Sequence, residues 1–120
     1  MMLYIGGAGA GHARLAAEET GRTPCVCTPE TALSAPAIDE FHLLTRTLLQ
    51  SGIEPQDYAR RLLAENPDAV VICDEIGLGI VPLDPFERRW REETGRALGI
   101  LAEAAQRVTR VYFGIGQVIK

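Results

Sequence analysis

Lysine is almost missing from this chain. Among the 12 basic residues in its 120 positions, only the last, Lys120, is a lysine, so any chemistry that needs an internal lysine is excluded. Only two histidines, His12 and His42, are present, and aromatic residues make up 6% of the chain. Three cysteines, an odd number in a short chain, do not make a disulfide framework, and reduced thiols are the expectation. Cys25 and Cys27 have no further Cys or His at ligand spacing, so no zinc site is expected. No apolar run reaches the ~18 residues of a membrane-spanning helix, and the first residues lack the basic region and long apolar stretch of a signal peptide. The sequence therefore predicts a cytoplasmic protein with no membrane partner. Positive charge is also in deficit: the formal net charge is −4 and the pI is near 5.1, against a nucleic-acid partner.

What is present describes one globular domain over residues 1–120, with 47% hydrophobic residues to build a core. Apolar runs of strand length occur at 2–5, 25–27, 69–73, 108–113 and, more briefly, 117–119. They read as continuous rather than alternating, the pattern of strands buried on both faces of a parallel sheet. Helical character falls at 12–20, 40–50, 55–65 and 85–106. Gly21 and Gly52 follow the first two helices as stop signals, while Pro55 and Pro85 stand in the first turns of the last two. Gly95 and Gly99 fall inside the fourth helix, where each costs roughly 1 kcal/mol against alanine, and close packing against a neighbour is the expected reason. The order β-α-β-α-α-β-α-β predicts a three-layer α/β fold with a small, mainly parallel sheet. The segment 28–38, with Pro29 and Pro36, has no clear pattern.

The first strand runs into Gly6, Gly7, Ala8, Gly9, Ala10, Gly11, His12 and Ala13, then a helix. Gly6 and Gly11 have the spacing of the phosphate-binding loop G-x-x-x-x-G-K-[ST], whose backbone N–H groups and helix N-terminus favour an anion. His12 stands where that motif has lysine, and Ala13, where it has a hydroxyl, cannot ligate Mg²⁺. Two readings of the loop stay open: retained anion binding, or a glycine-rich turn that only allows tight packing. His12 is then either a phosphate contact, with a charge present only when protonated, or an exposed first-turn residue. Lysine at that position is expected to restore tight binding. His42, beside Phe41 and Leu43, reads as a satisfied or surface histidine before a catalyst.

Farther along, 70–73 is an apolar strand ending in Asp74 and Glu75, the placement that in phosphate-loop nucleotidases sets an Asp near Mg²⁺ and a Glu near the attacking group, or that of ordinary solvated strand ends and helix caps. Then come Gly77, Gly79, Ile80, Val81 and Pro82, followed by Arg88-Arg89-Trp90-Arg91 with Gly95, and finally Gly114-Ile115-Gly116 and Ile119-Lys120. This succession resembles the bifunctional adenosylcobinamide kinase/adenosylcobinamide-phosphate guanylyltransferase family of cobalamin biosynthesis. That family shows N-E-V-G-x-G-I-V-P, then R-x-F-R-D-x-x-G, then G-I-x and a terminal I-K. The first twenty residues, with Gly6-Gly7-Ala8, are similar to the family's G-G-A-R-S-G-K-S, and 38–44 resembles its strand-to-helix segment L-L-D-C-L-T-x-W.

The resemblance implies a phosphate-loop NTPase-like fold, binding of a nucleotide (GTP or ATP) or a corrinoid, and a homo-oligomer, a trimer in the family. It also implies Asp39 as the candidate metal residue, Gly6–Ala13 as the phosphate loop, and Asp74, Glu75, Arg88 and Arg91 as further site candidates; the two arginines read equally as a solvated helix face. The departures weigh against full activity. Lysine and serine are gone from 12 and 13, weakening any Mg²⁺ site, Asp74 replaces the family's asparagine, and 28–38 holds no GMP-accepting histidine. The expectation is a degenerate member with impaired or absent catalysis, the alternatives being a still active enzyme or a non-catalytic interaction module.

Overall fold

The computed structural model describes residues 1–77 and 79–120. Strand β1 (Met2–Gly6) leads through the glycine turn to helix α1 (His12–Thr20) and strand β2 (Cys25–Val26). A single 3-10 turn (Thr31–Leu33) precedes strand β3 (Ala37–Asp39), helices α2 (Phe41–Gln50) and α3 (Pro55–Glu65), and strand β4 (Val70–Asp74). Helix α4 (Pro85–Ala104) and the hairpin β5 (Arg107–Tyr112) and β6 (Ile115–Val118) complete the chain. The six strands form one sheet in the order β2-β3-β4-β1-β5-β6, parallel except for the β5–β6 pair.

Alternation along the central strands divides the interior into two cores. Leu3, Ile38, Val71, Cys73 and Val108 face α2, α3 and α4, where they meet Phe41, Leu48, Leu62 and Leu101. Tyr4, Ala37, Val70, Ile72 and Val111 face the other way and meet Ala16 of α1. Both faces of the middle of the sheet are thus covered, which is why its strands show no polar alternation in the sequence. Burying each large apolar side chain contributes about 1.5–3 kcal/mol.

The helix boundaries follow local chemistry. Gly21 ends α1 in the left-handed region, its N–H donating to the Ala17 carbonyl. Asp84 caps α4, its Oδ1 accepting from the N–H groups of Phe86 at 2.8 Å and Glu87 at 3.3 Å.

Several expectations are corrected. The sequence reading ran α4 to residue 106, whereas the helix stops at Ala104 and Ala105 turns extended. The segment 28–38 contains a 3-10 turn and the start of β3, a strand of three residues that is defined by its pairing with β4 rather than by any local pattern. Strands β2 and β6 are exposed along their length, because they form the two edges of the sheet. Gly95 and Gly99 have no close neighbour: a Cβ at either would meet nothing within 4 Å among the described residues, so tight packing inside this chain does not explain them.

Candidate site at the carboxyl end of the sheet

Parallel register brings the candidate residues to one end of the sheet. Gly6 pairs with Asp74 on one side and with Val111 on the other, so the glycine turn, the β4 acids and the end of β5 are neighbours. Ligands of open α/β sheets bind at this end.

The turn is held by backbone bonds. Ala10 N–H donates to the Gly7 carbonyl at 3.0 Å, and Gly114 N–H, from the tip of the β5–β6 hairpin, donates to the Ala10 carbonyl at 2.7 Å. Gly11 caps α1 with φ +82°, a conformation that a side chain would oppose, and lies against Gly114 at ordinary contact distance. At Gly6 a Cβ would come within 3.0 Å of both the Ala10 Cβ and the Val111 carbonyl. Ala13 packs against the small core under α1 and offers no hydroxyl to the loop.

His12 is neither exposed nor aimed into the turn as a free cation. It is 7% exposed, and its Nε2 lies 2.7 Å from Asp74 Oδ1. The other ring nitrogen, Nδ1, is buried and without a hydrogen-bond partner among the described residues. Asp74 has a second imidazole beside it. His42, also 7% exposed, accepts the Asp74 backbone N–H on Nδ1 at 3.1 Å, with its Nε2 3.5 Å from Asp74 Oδ2. Accepting on Nδ1 fixes the neutral ring as the Nε2–H tautomer, which points its proton at the carboxylate. The only two histidines of the chain thus flank a single carboxylate. Behind them, Trp90 Nε1–H donates to the His42 carbonyl at 2.7 Å and the Thr45 and Thr94 hydroxyls bond at 2.6 Å, fixing the start of α2 against α4. Cys73, directly before Asp74, has its thiol pushed up by burial and then by the Asp74 charge, so it stays protonated.

Glu75 and Arg110 make the second cluster. Glu75 N–H donates to the Gly6 carbonyl at 2.8 Å, and its carboxylate pairs with the Arg110 guanidinium, whose pKa that hydrogen bond raises. The guanidinium lies 5.5 Å from the Tyr112 ring centroid.

Of the remaining candidates, Arg91 donates to the Ile80 carbonyl at 3.0 Å and also to the Gly77 carbonyl, tying down its own loop, and it lines a small cavity with Glu75 and Arg110. Arg88 is exposed and lines, with Arg91 and Gly95, a cavity of about 420 Å³. Asp39 ends β3 with Oδ1 accepting the Glu40 N–H at 2.8 Å, where Glu40 opens α2 at φ +50°. Among the described residues no three His, Cys, Asp or Glu side chains are grouped to hold a metal. For Mg²⁺ the fit is poor, since the loop brings no hydroxyl and Asp74 is already bonded to His12.

His42, expected as a satisfied or surface histidine, is a satisfied one; it lies 32 positions from Asp74, and only the placement of α2 beside the end of β4 joins them. Arg110 is not among the expected site residues, although a charge in the interior of an apolar strand is itself a signal.

The model of the family described as cobinamide kinase / cobinamide phosphate guanyltransferase matches residues 39–119, well over half of the chain. The chain belongs to that family. The match takes in Asp39, His42, Asp74, Glu75 and the β5–β6 hairpin, and begins after the glycine turn. No curated protein matches the chain. Cobinamide kinases and guanyltransferases act in cobalamin biosynthesis and use nucleotides. The α/β architecture with its mainly parallel sheet agrees with that membership. No described helix is long and apolar enough to cross a membrane.

Proposed function

We propose that this chain is a nucleotide- or corrinoid-binding member of the cobinamide kinase / guanyltransferase family in which phosphoryl and guanylyl transfer are lost or strongly impaired, and that it acts in the cytoplasm. One observation carries the reading: the residue at the lysine position, His12, is bonded to Asp74 at 2.7 Å. Phosphoryl transfer depends on placing positive charge at the oxygens of the transferred group. Here protonation of His12 would answer the Asp74 carboxylate first, and no hydroxyl follows it to hold Mg²⁺. What the turn keeps is independent of side-chain charge: the backbone N–H groups of the glycine turn other than that of Ala10, which bonds the Gly7 carbonyl, and the N-terminus of α1. The loop therefore supports binding without the groups for turnover.

The family resemblance adds a homo-oligomer, a trimer. Ile80, Leu83, Ile115 and Ile119, all more than half exposed, supply apolar surface for contacts between copies. Sedimentation equilibrium showing only monomer at high concentration contradicts that part.

Incubation with adenosylcobinamide, Mg²⁺ and labelled ATP or GTP tests the catalytic part. Neither adenosylcobinamide phosphate nor a protein-bound GMP is expected on product analysis and a denaturing gel. Turnover on the order of 1 per second would show an active enzyme.

A further inference from the structure

We propose that the cavity between the glycine turn and the β5–β6 hairpin is a nucleoside-phosphate subsite in which Arg110 supplies the cation and Tyr112 and Phe113 hold the base. The proposal rests on the nucleotide-binding reading above and assigns the residues that perform it. The cavity, about 290 Å³, is walled by Gly7–Ala10 on one side and by Glu75, Arg110, Tyr112 and Phe113 on the other. Its two walls differ in chemistry, one a turn of glycine and alanine, the other a guanidinium with its paired carboxylate and two rings.

Arg110 is suited to an anion for three reasons. Strand pairing sets it beside Ile5, one residue before Gly6, so it stands next to the turn. Its Nε is buried with no hydrogen-bond partner among the described residues, so the guanidinium is not saturated by partners within the chain. Its carboxylate partner, Glu75, directly follows β4, the strand on the far side of β1, so the pair spans the end of β1 where the turn begins. A guanidinium carries five N–H donors, and a phosphate binds the edge that Glu75 leaves free. His12 cannot take that role while Asp74 holds it.

The rings settle the rest of the ligand. Phe113 is 95% exposed at the hairpin tip, held there at φ +50°, and Tyr112 is half exposed beside it. An aromatic side chain held in solvent by the left-handed backbone that Phe113 adopts is costly, and stacking a planar base against it would offset the exposure. The volume lies at the small end of the ~300–1,000 Å³ typical of ligand cavities, which suits a base with its sugar phosphate and is too small for a corrin macrocycle.

Calorimetric titration with GMP and with ribose 5-phosphate, which lacks the base, decides among the outcomes. The wild type is expected to bind GMP roughly tenfold more tightly than ribose 5-phosphate. Phe113→Ser, at an exposed position where folding is not at stake, should remove most of that preference and leave ribose 5-phosphate unchanged. Arg110→Leu should weaken both ligands at least tenfold, with Arg110→Lys intermediate. Glu75→Gln, which frees the guanidinium, should tighten both several-fold, a gain that misfolding cannot produce. If the wild type binds both ligands and the Arg110, Glu75 and Phe113 substitutions change nothing, this assignment is overturned while nucleotide binding at the turn stands. If the wild type binds neither, the nucleotide reading falls and the subsite with it.

Discussion

Converting the end of the sheet back to the family's own residues is expected to work only when two positions are changed together. By the resemblance of the motifs, the family has lysine where this chain has His12 and asparagine where it has Asp74. Because Asp74 Oδ1 already lies 2.7 Å from His12 Nε2, a lysine placed at 12 would meet the carboxylate before it met a bound phosphate. Two unit charges at ~4 Å interact by about 4 kcal/mol at an effective dielectric of 20. The Asp74 side chain is 28% exposed, so screening reduces that attraction to about 1–2 kcal/mol. His12→Lys alone should therefore raise pyrophosphate affinity less than about threefold at pH 8. Asp74→Asn alone removes one negative charge near the turn and should gain roughly fivefold, about 1 kcal/mol. The double variant frees the ammonium as well and should gain on the order of 100-fold, leaving a coupling of at least 1 kcal/mol between the sites. Isothermal titration of the four proteins, with thermal unfolding to confirm that each folds, gives the cycle directly. Additive effects, or a full gain from His12→Lys alone, would refute the idea that Asp74 holds the residue at position 12 away from the anion.

Alkaline pH should destabilise the fold through two phenols. Burial, together with a 2.8 Å hydrogen bond to Glu19, pushes Tyr4 up to about 12, and burial pushes Tyr58 up to about 12. Both values exceed the ~10 of an unfolded tyrosine, so the stabilisation is complete below pH 10 and lost as pH rises towards 12. Allowing for partly solvated ring tips, the loss is about 1–2 kcal/mol for each, readable from urea midpoints between pH 9 and 12; a flat profile would contradict it. Asp84→Ala should cost about 1 kcal/mol by freeing the N–H groups of Phe86 and Glu87 at the start of α4, and Asp84→Asn should recover most of it in the same urea assay.

The elements with local punctuation were legible before any coordinates. Gly21, Pro55 and the Asp84-Pro85 pair mark ends of α1, α3 and α4 that the structure reproduces, because capping and proline geometry act within one turn. Strand β3 has no such punctuation, since three residues between Pro36 and Glu40 carry no period; only the family resemblance over 38–44 points to a strand end at Asp39, and the register against β4 makes it one. The site divides the same way. Gly6–Gly11 is a contiguous loop and shows itself as a motif. The contact between His12 and Asp74 spans 62 positions and that between Arg110 and Glu75 spans 35, both created by the parallel packing of β4 and β5 against β1. That fold-made contact also changes the meaning of a single residue, for His12 read alone is a weak substitute for lysine, and read with Asp74 it is an occupied base.

Phosphorus NMR of GTP with a stoichiometric amount of the protein, Mg²⁺ and adenosylcobinamide tests the central claim most directly, because one spectrum reports binding and turnover together. Binding without transfer predicts broadened and shifted phosphate signals that keep their three resonances at constant intensity over many hours, with no adenosylcobinamide phosphate appearing. Loss of the γ-phosphate signal with growth of a phosphorylated corrinoid would contradict the loss of catalysis, and sharp, unshifted signals would contradict nucleotide binding itself.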